Sequence, residues 1–176
     1  MDIRETAARL GLTACLAFDP ALLEPEERVR NYCRSNKCGT YGRNYMCPPY
    51  CGTLAKLRTK LRDYTGGWLL QYSVPLDVKN DRAGVDRSKL DFHRTVLEME
   101  KAFPPEDRPW GLIGGSCGLC ETCNVLTGKA CAHAAEARSS LEAVGINVAK
   151  LLESVGLSLE FRDDRITWTG AVLTRV

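Results

Sequence analysis

No apolar run in this sequence approaches the roughly 20 residues needed to cross a bilayer, so no membrane association is expected. Excess charge is also scarce. The 24 Lys and Arg nearly cancel the 22 Asp and Glu, leaving a formal net charge of +2. That argues against a nucleic-acid partner held by bulk electrostatics. There is no phosphate-cradling glycine loop, no dinucleotide fingerprint and no serine–histidine–acid arrangement, so recognisable organic-substrate machinery is missing. Internal repeats and low-complexity tracts are absent, and the longest candidate linker, Lys79-Asn80-Asp81-Arg82-Ala83-Gly84, is too short to separate two domains. With 176 residues and a 44% hydrophobic fraction, one domain over residues 1–176 with a real core is expected. No charged-then-apolar segment with a small-residue cleavage site opens the chain. A reducing, cytoplasmic setting follows as the expectation, and there clustered cysteines hold metals rather than disulfides.

Cysteine is what the sequence has in abundance. Eight of the nine fall into two sets of four: Cys33, Cys38, Cys47 and Cys51, then Cys117, Cys120, Cys123 and Cys131. Four thiolates are what one tetrahedral ion or one iron–sulfur cube requires, so the pattern implies two metal centres, in loops 33–51 and 117–131. The ninth, Cys15, sits among Leu12, Ala14, Leu16, Ala17 and Phe18 and reads as a core residue.

The second set is the sharper signal. Its spacing, Cys-x2-Cys-x2-Cys-x7-Cys, begins like a ferredoxin cluster loop. Gly114, Gly115 and Gly118 permit tight turns that bring backbone N–H groups towards sulfur. Zinc ribbons usually join two separated Cys-x-x-Cys knuckles, and here the middle cysteine would be superfluous, so an iron–sulfur cluster is favoured over zinc or structural thiols. The first set, Cys-x4-Cys-x8-Cys-x3-Cys, is less specific. Its frame, Cys38-Gly39-x-Tyr41-Gly42 and Cys47-Pro48-Pro49, is rigid and turn-rich. Arg30, Arg34, Lys37 and Arg43 lie among these cysteines; as a set they suit an anionic cluster, while each alone reads as solvated surface. A second cluster is favoured here over zinc or one shared site, and cross-ligation between the sets is a further arrangement the spacing permits.

Other candidates are weaker. His133, two residues after Cys131, reads as a hydrogen-bond donor to cluster sulfur or a replacement ligand. His93 reads as a satisfied or partly exposed helix residue, and Glu121 as solvated. Tyr41, Tyr45 and Tyr50 shield the first set from water or stack on a flat ligand.

Periodicity predicts helices over 3–10, 25–31, 54–64 with Thr53 as N-cap, and 86–103 with Asp86 as cap. Strands are expected over 12–18, 68–74 and 110–113. Ser139-x-x-Glu142 predicts a helix over 141–155, with a break at Gly145 and a restart capped by Asn147. Residues 157–161 and 166–173 read as a terminal hairpin about Asp163-Asp164. Interleaved elements with an antiparallel ending give an α+β class: a mainly antiparallel sheet with packed helices and two cysteine-rich loops.

The strings Cys33-x4-Cys38-Gly39-x-Tyr41-Gly42-x4-Cys47-Pro48-Pro49 and Gly115-x-Cys117-x2-Cys120-x2-Cys123-x7-Cys131 are followed by Ser140-x-Glu142-Ala143-x-Gly145-Ile146-x-Val148. Together they resemble domain-of-unknown-function family 2284, described as predicted metal-binding proteins of bacteria and archaea. The resemblance covers nearly the whole chain and implies metal binding, but no reaction. The family pattern commonly places Arg after the last cysteine and Pro two positions further on; here those positions are Ala132 and Ala134. A cysteine at the position of Cys51 is not required by the family, and without it the first set would have an open iron or a non-cysteine ligand.

The expectation is a soluble carrier of two 4Fe–4S clusters passing single electrons to redox partner proteins, an electron carrier rather than an enzyme. Its alternatives are a cluster enzyme with an open iron at the first set, and a structural zinc protein.

Overall fold

A computed structural model describes residues 2–175; Met1 and Val176, the two ends of the expected domain, lie outside the described residues. Its centre is a four-stranded antiparallel sheet of β1 (Ala14–Phe18), β2 (Gly66–Pro75), β3 (Trp110–Leu112) and β4 (Arg165–Thr174), ordered β1-β2-β4-β3. Period-two alternation sends neighbouring residues to opposite faces and so makes two cores. Leu69, Leu112, Ala171 and Leu173 face one side with Leu141, Ile146 and Leu152. Leu70, Ile113 and Val172 face the other with Phe92, Val96 and Met99. The fold is therefore α+β as expected.

The first core is covered by α3 (Leu54–Leu61), α5 (Val148–Ser154) and the turns before α5. Thr53 caps α3 through Lys56 N–H, and Asn147 caps α5 through Lys150 N–H, both as the sequence predicts. The second core is covered by α4 (Arg82–Glu100) and α1 (Ile3–Arg9). Gly170 lies where β4 meets α4. A Cβ there would collide with Leu112 O on β3 and stand 2.9 Å from the Phe92 ring, so only glycine fits between the neighbouring strand and the helix.

Three sequence expectations are corrected. The cap of α4 is Asp81, whose Oδ1 accepts from Gly84 N–H at 2.8 Å; Asp86 lies a turn inside and pairs instead with Arg82 and Lys89. Residues 139–147 are turns rather than helix. Their backbone is spent on β3's extension: Ile113 N–H donates to Ser139 O, and Leu141 N–H to Ile113 O. The capping hydroxyl is that of Ser140, which accepts from Ala143 N–H. Finally, 157–161 is not a strand, and no terminal hairpin forms. β4 instead pairs along its whole length with β2, from Gly66–Thr174 to Pro75–Arg165, while β3 takes Ala171, Val172 and Leu173 on its other edge. Smaller shifts occur at ends: α2 spans Glu27–Arg34, later than expected, and so carries Cys33 in its last turn. Among the described residues no helix is long and apolar enough to cross a membrane.

Candidate metal centres

The two cysteine loops meet at the end of the sheet where β3 leads into the second of them. All nine cysteines, each among the described residues, are free thiols. Cys15 is half-buried on β1 opposite Leu70, and burial pushes its thiol up to about 11, as suits a core residue.

In the first loop, α2 delivers Cys33 at its end. The chain then reverses through Asn36 and Gly39, both with positive φ, and Asn36 Oδ1 braces the turn by accepting from Tyr41 N–H. This places Cys38 Sγ 3.1 Å and Cys47 Sγ 3.5 Å from the same Thr40 hydroxyl. Cys33 and Cys51 lean instead on the turn before α5, donating to Glu142 O at 3.9 Å and Ala143 O at 3.3 Å. Cys38 and Cys47 thus share the Thr40 hydroxyl, while Cys33 and Cys51 share the 142–143 turn. The first quartet is not symmetric. Cys33, Cys38 and Cys47 line one open cavity of about 510 Å³, whereas Cys51 lines a separate one beside Tyr45, Tyr50 and Lys60.

The second loop starts from β3. Gly114 packs against the backbone of Thr169 on β4, and Gly115 turns with φ +76. Cys117, Cys120, Cys123 and Cys131 then line one small cavity of about 20 Å³. Its remaining wall includes Asn44, Tyr45 and Met46, contributed by the first loop. Buried Asn44 bolts the loops together: its Nδ2 donates to Cys117 O at 2.8 Å, while its Oδ1 accepts from Met46 N–H at 2.9 Å. Tyr45 adds a hydroxyl bond to Lys129 O at 2.8 Å. The sets thus occupy separate cavities with a shared wall, rather than one shared site. Among the described residues no group of three or more His, Cys, Asp or Glu side chains is arranged so that it could hold a metal ion.

Several of the donors are thiols whose burial holds their protons tightly. Burial pushes the Cys47 thiol up to about 11, and raises Cys33 and Cys51 against the opposing pull of Arg30. Burial likewise raises Cys117, partly offset by the backbone N–H groups of Leu119 and Arg138. Such thiols stay protonated at neutral pH until a cation displaces the proton. Arg30 provides the test of fit. It is only 7% exposed, its Nη2 lies 3.5 Å from Cys51 Sγ and 2.7 Å from Gly52 O, and its Nε is buried without a partner. A buried guanidinium without a carboxylate is costly, on the order of several kcal/mol, unless an anion faces it. Thiolates of a metal centre supply that anion, so the residues fit an anionic, thiolate-bound group.

The remaining candidates separate. His133 lines the second cavity, with Nδ1 3.3 Å from Glu136 Oε2. Glu121 is exposed, as expected. His93 is not partly exposed but fully buried; its Nε2–H donates to Glu136 O at 2.9 Å and its Nδ1 has no partner. It therefore braces the return of the second loop. Beside it, buried Glu100 receives Arg138 through two bonds, at 2.7 and 2.6 Å, and also accepts from Gly111 N–H. Sequence reasoning missed this clamp, and it missed Asn44 and Thr40. Arg30 had a signal: it lies three residues before Cys33, on the same helical face.

A family model described as predicted metal-binding protein (DUF2284) matches residues 17–174. The chain belongs to this family. Both cysteine loops and the whole sheet except the start of β1 fall within the match. No curated protein and no solved structure matches the chain.

Proposed function

We propose that this metal-binding family member carries two iron–sulfur centres, one on each cysteine quartet, and passes single electrons to a redox partner protein in a reducing, cytoplasmic compartment. The observation that carries this reading is the interlocking of the loops: residues 44–46 of the first loop wall the cavity of the second quartet. Two centres built this way are neighbours, joined by the Asn44–Cys117 hydrogen bond. Cubane clusters on these thiolates would supply one-electron chemistry. The chain's own part is to hold the thiolates, exclude water and set the local charge. Arg30 does the last at the first centre, and the N–H groups of Leu119 and Arg138 do it at Cys117.

The test is oxygen-free purification with iron, sulfide and zinc analysis, followed by electron paramagnetic resonance after dithionite. About eight iron and eight sulfide per chain are expected, from two cubanes. One zinc per quartet without visible absorbance would reject the reading in favour of a structural zinc protein.

A second reading, in which the first centre keeps an open position, is favoured by the placement of Cys51 away from the cavity shared by Cys33, Cys38 and Cys47. Cys51→Ala separates the two. Retention of all the iron supports the open site, and loss of the first cluster rejects it.

A further inference from the structure

The first quartet opens on far more space than its thiols need. The second quartet closes on about 20 Å³, but the cavity over Cys33, Cys38 and Cys47 holds about 510 Å³. That lies within the range of small-molecule sites, roughly 300–1,000 Å³. Beyond the sulfur atoms, its walls come from the two cysteine loops and the turn before α5, and also from Arg82, Val85, Asp86 and Lys89 on α4 and Trp168 on β4.

We propose that this cavity binds a small organic carboxylate, its anionic group held by Lys89 and Arg82 and its carbon skeleton between Tyr41 and Trp168. The proposal rests on the iron–sulfur reading only for what forms the floor; the recognition belongs to side chains already in place. Lys89 is held rather than free. Its side chain is 19% exposed, and its stem runs along the second loop, where a Cβ on Gly115 would stand 3.2 Å from Cδ and one on Gly118 3.5 Å from Cε. An ammonium fixed in advance loses little freedom when an anion arrives. Arg82, at 83% side-chain exposure, stands at the mouth, and Lys37 adds a third cation. The negative groups facing the cavity are Asp86, Glu142 and, on the iron–sulfur reading, the thiolates of Cys33, Cys38 and Cys47, so the cations must outweigh them locally at the α4 wall. Asp86 is shared by Arg82 at 3.2 Å and Lys89 at 3.4 Å, so two cations bracket one carboxylate. Glu142 is exposed to solvent and faces the cavity from the turn before α5.

The walls favour an organic anion over inorganic phosphate. Trp168 cannot turn: its Nε1–H donates to Ser88 Oγ at 2.9 Å, and that hydroxyl donates to Val85 O at 2.9 Å. With its polar atom occupied, the indole presents an apolar surface. Tyr41, Val85 and Pro48 extend it.

Equilibrium dialysis of the anaerobic, iron-loaded protein against labelled benzoate, with benzamide as the uncharged isostere, tests this. One benzoate per chain is expected, with benzamide weaker by roughly tenfold, the value of a charge-assisted hydrogen bond. Lys89→Gln should weaken benzoate by roughly tenfold and leave benzamide unchanged. Arg82→Gln, at an exposed position that cannot disturb folding, should weaken benzoate roughly threefold. Equal binding of the two probes, no saturable benzoate binding, or indifference to both substitutions would overturn the proposal. Metal is assayed on the same samples. Iron-loaded protein that ignores benzoate ends this proposal alone, whereas a zinc protein that discriminates benzoate as described ends the iron–sulfur reading alone.

Discussion

Arg30→Met removes a buried positive charge from beside the first quartet while keeping an apolar stem of similar reach. At the 3.5 Å separation of Nη2 and Cys51 Sγ, Coulomb's law with an effective dielectric of about 20 gives about 4.7 kcal/mol. On the proposed iron–sulfur reading, an added electron would be spread over several ångströms of the core, which doubles the mean distance and leaves about 2.4 kcal/mol. Little solvent discount applies, since Arg30 is 7% exposed. At 59 mV per factor of ten for one electron, this is a fall of roughly 100 mV in the first centre's midpoint potential. The assay is a redox titration under argon, followed by electron paramagnetic resonance, with both centres resolved. Arg30→Lys keeps the charge and should recover more than half of the shift. Arg43→Met, at an exposed position in the same loop, should move neither centre appreciably. An unchanged first potential in Arg30→Met protein with full iron content would refute the charge-balance argument.

Three further outcomes follow from buried contacts. Asn44→Ala deletes the bond to Cys117 that ties the loops and the local brace at Met46, so it should cost about 1–3 kcal/mol in chemical denaturation and, on the iron–sulfur reading, speed iron loss from the second quartet to a chelator. Glu100→Gln or Arg138→Met breaks a buried ion pair and should cost about 3–5 kcal/mol, with the double substitution well below the sum. Burial holds His93 below its ordinary pKa, so between its folded and unfolded values the unfolded chain binds more protons. Its stability contribution is therefore full above about pH 6.5 and falls as pH drops below it. A urea series from roughly pH 5 to 8 should show that slope, and His93→Gln should flatten it.

Much of this architecture could be read from residue patterns because it is local. The caps at Thr53 and Asn147 and the strands ending at Phe18 and Pro75 depend on neighbours a few positions away. The grouping of cysteines was equally visible, since spacing alone places thiols on one loop. Failures arose where a distant segment claimed the same backbone. Ser139–Glu142 has the letters of a capping box, but Ile113 takes its backbone bonds. Residues 157–161 alternate like a strand, yet the full-length partner of β4 is the distant β2. Asn44 carries no pattern at all; its importance comes from a partner 73 positions away.

The position of β4 has a consequence for how the protein acquires its metals. The strand latest in chain order lies inside the sheet, between β2 and β3, and Gly114 at the root of the second cysteine loop rests on its Thr169. During synthesis at the ribosome, both quartets emerge before the floor beneath them exists. The sulfurs can gather into walled cavities only once residue 174 has left the exit tunnel and the long-range pairing has closed. On the proposed reading, insertion of inorganic cofactor would then be ordered after translation of the sheet, and nascent chains would present eight loose thiols.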